Sequence, residues 1–578
     1  MTAYAVLGSI GLLLGLLIHG RFSPAVLFSG CAGIYYLLGW VDQTALLDSF
    51  SNPALATLIL LLLVSLALER SPLLDRLSDT LLKGRPAMAT LRLSSFAVAM
   101  SAFMNNTAVV GALLGMVSRQ RLQPASRLLI PLSYASILGG ITTLVGTSTN
   151  LVVNSFAVNA GLPALEMFQF SIVGVPVALA CIAVLVLTNR LLPAHAPGDS
   201  EAASPYFLEA RVAPGSALIG RSIEHNQMRS LDGLFLLEIE RHDRLISPVG
   251  PDEVLQEGDV LVFTGEVGKM QALQRFAGLQ VFGARADALL KSNLVEVVIA
   301  SQSELANRTL REVDFRTMFD AGVVGIRRGD KRLTGQLGRI PLRVGDCLLL
   351  AAGADFFQHR NLDRNFHVLN GLGLRPKLTN TQSAAALSGF ALVIALSALE
   401  WLSLFSGLLL LMAGLLATRL LTLAEMRRRF PFDLLLTIGS SLAMAKVLET
   451  SGAAELIAGW MRAAFADFGV MGAFVGVYLM TVVLTELISN NAAAALVFPI
   501  TLSTARAFGV DPLPFVMIVA YGASAGFLIP FGYQTHLMVY SAGRYRMGDF
   551  LRAGLPVSLV YGIGVLALVP LAFPFVRN

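Results

Sequence analysis

Two asparagine doublets stand in stretches that are otherwise apolar. One lies in Phe103-Met-Asn-Asn-Thr-Ala-Val-Val110, the other in Leu487-Ile-Ser-Asn-Asn-Ala-Ala-Ala494. About 40 residues after each comes a second polar interruption, Gly146-Thr-Ser-Thr-Asn-Leu-Val-Val153 and Gly532-Tyr-Gln-Thr-His-Leu-Met-Val539. The approaches match as well: Tyr134 precedes Gly146 by 12 residues and Tyr521 precedes Gly532 by 11. Asn and Thr supply donors and acceptors without carrying charge. Carbonyls and Asn oxygens at a chain break suit a small hard cation, whereas N–H groups at helix starts and hydroxyls suit an oxyanion. None of the four motifs contains Lys or Arg, so a multivalent anion held there needs cations to neutralise it. A single Asn in an apolar segment is commonly helix glue. Four motifs in matched places point to a site.

The elements that must position these residues are membrane helices. The chain has 578 residues, 55% hydrophobic and only 14% charged, with a mean hydropathy of +0.68; soluble domains carry about 25% charged residues. That composition excludes a soluble enzyme, a disordered scaffold and a fibrous protein. A spanning helix needs about 20 apolar residues. Such stretches lie near 3–18, 22–40 and 54–69, followed by a broken segment at 93–117, a long one at 127–157 and another at 168–190. After a charged, strand-like region at 191–380 they resume at 383–399, 403–420 and 432–449, then 473–505 (broken), 511–541 (long) and 552–573. The first span has no basic residue before it and no good cleavage site after it, and reads as a retained helix rather than a signal peptide.

Basic residues give the orientation. Arg21, Arg70 to Arg92, Arg119 to Arg127, Arg190, Arg419 to Arg429 and Arg544 to Arg552 mark one side, while 41–53, 155–167 and 400–402 carry acids but no Lys or Arg. The positive-inside bias then puts region 191–380 in the cytoplasm and both termini outside; Arg462 and Arg506 fall against it. The count of passes closes only if 93–117 and 473–505 are re-entrant hairpins of opposite direction. The expected fold is an α-helical polytopic membrane protein of two inverted repeats, each with a hairpin and an unwound helix: 1–190 (hairpin 93–117, broken helix 127–157) and 383–578 (hairpin 473–505, broken helix 511–541). Equivalent helix breaks in two such halves are the signature of a secondary transporter, with its ligands at the breaks. Glu486 is either an ion ligand or a partner for a hairpin N–H or a basic residue.

At these motifs the chain resembles the divalent anion:sodium symporter family, within the wider ion-transporter superfamily, whose hairpin tips read Ser-Asn-Thr. Here the tips are Asn105-Asn106-Thr107 and Ser489-Asn490-Asn491, and the breaks Gly146-Thr-Ser-Thr-Asn150 and Gly532-Tyr-Gln-Thr-His536 are most similar to the sulfate-permease branch. His536 stands where that branch usually has Asn, which bears on anion choice or pH response. The resemblance implies that both tips, with Thr149, Asn150, Thr535 and His536, contact the anion. It implies one sodium at Ser101, Asn105, Asn106, Gly139 and Gly140, and a second at Thr485, Asn490, Ala523 and Ser524. It further implies a homodimer with an elevator-like transport domain, sodium as a co-transported ion and no organic cofactor. Ser101 and Thr485 each precede their tip asparagine by five residues, which supports the symmetry independently. The departures from Ser-Asn-Thr favour sulfate over a dicarboxylate; a ligand-gated channel or anion sensor is the reading from another class.

Residues 206–276 and 293–357 resemble two TrkA C-terminal-type domains, small α+β modules. Each ends with a Gly-Asp turn feeding an apolar strand, Gly258-Asp259 before Val260-Leu-Val262 and Gly345-Asp346 before Cys347-Leu-Leu349, a hairpin element. The modules suggest a small-molecule regulator or a dimerisation cap. Gly265-Glu-Val-Gly-Lys-Met270 lacks the spacing and the hydroxyl of a phosphate-binding loop. Neither a dinucleotide fingerprint nor a nucleophile–base pair appears, so no enzymatic activity is expected. The basic residues behind the net charge of +5 cluster at the ends of apolar segments, so no nucleic-acid partner is expected either. Cys31, Cys181 and Cys347 form neither a disulfide framework nor a thiolate metal site.

Overall fold

The computed structural model describes residues 2–576 apart from 20–21, 69–80, 120–121, 195–205, 229–230, 232–233, 242–243, 266–272, 274, 283–293, 301–302, 329–330, 334–338, 354–355, 357–358, 360 and 371–377. It falls into two compact units, one of Met1–Ala194, Arg375–Val539 and Met547–Asn578, the other of His195–Leu374 with Tyr540–Arg546.

The first unit is helical. Among the described residues, six helices are long and apolar enough to cross a bilayer: Thr2–His19, Gln43–Leu68 (interrupted at Ser51-Asn52), Ser171–Leu191, Asn380–Ala398, Gly469–Leu487 and Met547–Ala572. Their starts are fixed by local chemistry. Ser23 accepts from Val26 N ahead of Pro24–Leu37, and Thr379 and Gln382 form a reciprocal cap on Asn380–Ala398, each satisfying N–H groups that have no partner within the helix. Each long polar-interrupted segment is two helices. The first hairpin is Pro86–Ser101 and Asn106–Arg119, and the second is Gly469–Leu487 and Asn490–Phe508. The first broken helix is Leu129–Gly140 and Ser148–Asn159, and the second is Leu513–Ala523 and Gln534–Ala542. The two halves are tied together where Ser171–Thr188 packs on Met547–Ala572 and Ser148–Asn159 packs on Asn490–Phe508.

Three features differ from the sequence reading. The first hairpin begins at Pro86, well before 93. The stretch 41–53 contains the helix Gln43–Phe50, capped by Asp42 on Ala45 N at 2.7 Å. A further helix, Ala453–Ala464, follows the span at 432–449; it turns Ala453, Ala454 and Ala458 inward and leaves Trp460 exposed.

Among the described residues, the second unit holds two five-stranded antiparallel sheets of one topology. In the first, β1 (Tyr206–Val212), β2 (Leu234–Arg241), β3 (Arg244–Ile246), β4 (Val260–Gly265) and β5 (Leu279–Phe282) run in the order 3-2-4-1-5. In the second, β6 (Leu294–Ile299), β7 (Ala321–Arg328), β8 (Lys331–Leu333), β9 (Cys347–Ala352) and β10 (Phe366–Asn370) run 10-6-9-7-8, the same order read backwards. The fifth strand of each sheet lies beyond the spans 206–276 and 293–357. Gly258 and Gly345, both at φ +83°, turn the chain into β4 and β9, a conformation that favours glycine. The aspartate after each is buried and held twice over. Asp259 accepts from Arg241 Nε at 2.9 Å and from Gln256 N, and Asp346 from Arg328 Nε at 2.7 Å and from Arg343 N. The two staples are equivalent, each pairing residues 18 apart.

One polar residue breaks the equivalence. Glu238 follows the bulge of β2, where β7 has Gly325. It is fully buried, with neither carboxylate oxygen in a hydrogen bond of good geometry, and burial pushes it from 4.5 up to about 7, against a smaller lowering by the nearby Ser247 hydroxyl. The folded form therefore holds the proton more tightly than the unfolded chain. Its stabilisation is complete below about 4.5 and is lost as pH rises to about 7. Hydrogen exchange of β2 and β4 in the full chain, corrected for intrinsic rates, is expected to show protection falling across that window. Glu238→Gln should flatten the slope; a slope that persists in the variant would assign it to another group.

Candidate functional site

An unwound stretch inside a membrane protein must have its backbone polar groups satisfied locally. In the first break Thr142 Oγ1 bonds Gly139 O at 2.7 Å, Asn150 Nδ2 bonds Gly140 O and Thr143 O at 3.3 and 2.8 Å, and Ser171 Oγ bonds Thr142 O at 2.6 Å. Thr143 Oγ1 reaches back to Ala102 O in the first hairpin and accepts from Gly146 N. In the second break His536 Nε2 meets Gly526 O at 2.8 Å, Tyr134 donates to Phe527 O at 2.7 Å, and Glu486 accepts from Leu528 N and Ile529 N at 2.8 and 3.1 Å. Glu486, on the second hairpin, thus serves the backbone of the second break.

The tips sit on these breaks. Ser101 Oγ lies 2.8 Å from the Asn106 carboxamide, and Thr485 Oγ1 lies 3.0 Å from Asn490 Oδ1 and 2.6 Å from Ala523 O. With its amide nitrogen turned inward, Asn106 donates to Ser136 O at 3.1 Å and Gly146 O at 3.3 Å. With Oδ1 inward, the same position holds an oxygen between two carbonyls, an arrangement that a cation makes favourable. There is no room for a side chain around it: a Cβ on Gly140 would lie 2.6 Å from Asn106 Oδ1, and one on Gly139 2.4 Å from Val98 O.

Tips and breaks also cross between the halves. Thr107 Oγ1 lies 3.4 Å from Gln534 Oε1, and Ser148 and Thr149 donate to Asn491 Oδ1 at 3.4 and 3.3 Å. Helix starts from both halves therefore stand together. Asn105, Thr107, Ser489 and Asn491 keep some exposure, whereas Asn106, Thr149, Asn150, Ser524 and Thr535 are buried. Buried polar atoms are almost always hydrogen-bonded, yet Asn150 Oδ1, Ser524 Oγ, Thr535 Oγ1 and the Tyr533 hydroxyl have no hydrogen-bond partner of good geometry. The Tyr533 hydroxyl is directed toward Ser524, Thr147 and Asn490, so it stands between both breaks and the second tip. Tyr533 stands within the second break as read from the sequence but was not among the expected site residues, although its place one residue after Gly532 was a usable signal.

His536 is placed differently from the expectation of an anion contact. The ring is fully buried, Nδ1 is 2.7 Å from Ser133 Oγ, and Nε2 is 2.8 Å from Gly526 O. A carbonyl only accepts, so Nε2 carries the proton and Nδ1 accepts from Ser133. Both nitrogens are engaged, and neither is left for a ligand.

A family model described as CitMHS, citrate transporter, matches residues 5–520. An uncharacterized transporter of Synechocystis sp. is 31% identical over 566 residues, covering 94% of this chain and 92% of the relative. The uncharacterized transporter YfbS of Escherichia coli is 26% identical over 580 residues, 94% of each chain. Sodium/sulfate cotransporter 1 of Chlamydomonas reinhardtii is 28% identical over 380 residues, which are 63% of this chain and 43% of the relative.

Proposed function

The chain belongs to the CitMHS citrate transporter family, and on that premise we propose that it is a sodium-coupled importer of a divalent anion, sulfate first. The observation that carries this reading is the set of buried polar atoms that make no hydrogen bond of good geometry, Asn150 Oδ1, Ser524 Oγ, Tyr533 OH and Thr535 Oγ1, at two breaks that contain no Lys or Arg. Neutral donors and helix starts hold the anion, and sodium ions supply the positive charge. One sodium sits among Ser101, Asn106 and the carbonyls around Gly139 and Gly140, the other among Thr485, Asn490, Ala523 and Ser524. Asn105, Thr107, Ser489, Asn491, Thr149 and Thr535 face the anion. Asn150, whose amide nitrogen is held by Gly140 O and Thr143 O, offers only its acceptor oxygen to the site, on the cation side. The likeness to sodium/sulfate cotransporters supports the choice of sulfate and of sodium.

The membrane halves form inverted repeats with the hairpins in a mobile, elevator-like part, and the protein is a homodimer. Both termini lie outside and the region 191–380 lies in the cytoplasm, where its two like sheets are TrkA C-terminal-type modules that take a small regulator. The description of the matching family favours a second reading, a carrier of citrate or a related carboxylate. Uptake of radiolabelled sulfate into proteoliposomes under an inward sodium gradient, against potassium or choline, decides between them. Sodium-driven accumulation competed by thiosulfate but not succinate is expected. Accumulation of citrate or succinate without sulfate would keep the ion sites and replace the substrate.

A further inference from the structure

We propose that His536 is a positioning residue that couples the two hairpin tips, so that sodium at one raises the affinity of the other. The inference rests on the sodium reading above. Its basis is a path of hydrogen bonds that runs from the first tip to the Gly526 carbonyl, with Gly526 packed beside Tyr533 and Thr485 of the second site. At the first tip, Asn106 lies 3.1 Å from Ser136 O. Ser136 Oγ donates to Ser133 O at 2.7 Å, one turn earlier on Leu129–Gly140. Ser133 Oγ donates to His536 Nδ1 at 2.7 Å, and His536 Nε2 donates to Gly526 O at 2.8 Å. Gly526 belongs to the second break, where a Cβ would lie 3.4 Å from the Tyr533 ring and 3.9 Å from Thr485 Cγ2. Thr485 in turn bonds Ala523 O and Asn490.

Rigidity makes the path effective. His536 is fully buried, with Tyr134, Phe550 and Tyr533 around it at ring-centroid distances of 5.2, 5.3 and 5.6 Å. The ring cannot turn without losing both bonds. A shift of the Gly526 carbonyl as the second tip fills therefore moves Ser133, and with it the turn that carries Ser136 O. Coupling of this kind is reciprocal in binding free energy, and its warrant is an element that both sites bias.

The test uses the full chain in proteoliposomes, with sulfate uptake measured against sodium concentration. The wild type is expected to give a Hill coefficient near 2, and Ser133→Ala, which removes one hydroxyl outside either tip, to bring it to about 1 at little cost in maximal rate. His536→Gln, which can donate to Gly526 O but cannot also accept from Ser133, should behave alike; sodium-dependent thermal shifts of the purified proteins give the same comparison without transport. A Hill coefficient of 1 in the wild type, or an unchanged value in both variants, overturns the coupling and leaves the sodium sites standing. Uptake indifferent to sodium overturns the sodium reading itself, and the two failures are distinct.

Discussion

Asn106→Ala and Asn490→Ala are each expected to lower sodium-driven sulfate uptake by at least about 100-fold, since a lost contact to a charged ligand costs roughly 1.5–3 kcal/mol and each tip serves both ion and anion. The two residues are equivalent in context. Each follows a hydroxyl residue by five positions and meets it in space, Asn106 against Ser101 at 2.8 Å and Asn490 against Thr485 at 3.0 Å. Each also opens a helix whose partly exposed first turn is available to the anion. On the proposed sites, loss of one carboxamide removes a sodium ligand and disturbs the helix start beside it. The ion and anion roles separate with Asn106→Asp. A carboxylate keeps an oxygen for sodium but adds a negative charge beside a divalent anion. Sodium-dependent thermal stabilisation of the purified variant should then persist while uptake is lost. Full uptake in both alanine variants would remove the tips from the site.

The membrane class and the four helix interruptions were legible because the signal is one of contrast. Asn, Thr and Ser in long apolar runs stand out, and no interior packing argument explains them. The five-residue spacing from Ser101 to Asn106 and from Thr485 to Asn490 survives as a contact in both hairpins. Helices that lie outside the apolar runs were not legible. Gln43–Phe50 hides in a polar loop and depends on the Asp42 cap. Ala453–Ala464 turns alanines inward, and alanine spacing reads as apolar everywhere. The role of His536 was out of reach for a different reason: its partner Ser133 is 403 residues away, and its motif position alone points toward the ligand. In the second unit the Gly-Asp turns were readable, but the aspartates' partners Arg241 and Arg328 follow only from strand order, which no local pattern encodes.

Glu486 supplies the second large effect. Its two oxygens accept from Leu528 N and Ile529 N, donors that an unwound segment cannot bond within itself. In Glu486→Ala both lose their acceptor inside a membrane protein, where an unsatisfied backbone group costs several kcal/mol. The second break should lose its shape, and the variant is expected to melt well below the wild type and to transport at under about a tenth of its rate, on the scale of 1.4 kcal/mol per factor of ten. Glu486→Gln separates support from ion chemistry. The amide keeps one acceptor and turns a donor toward the other N–H, so stability and rate should fall between wild type and Ala. The sodium concentration for half-maximal uptake and the charge moved per sulfate should stay as they are. A carboxylate that bound sodium or carried a proton would change both in the Gln variant, and that outcome would move Glu486 from the frame of the site into its chemistry. The position makes the support role the stronger one physically. Glu486 directly follows Thr485, and the matching residue in the first hairpin, directly after Ser101, is Ala102, whose carbonyl accepts from the Thr143 hydroxyl instead. The first break is held by a side chain of its own reaching the hairpin, and the second by a side chain of the hairpin reaching the break.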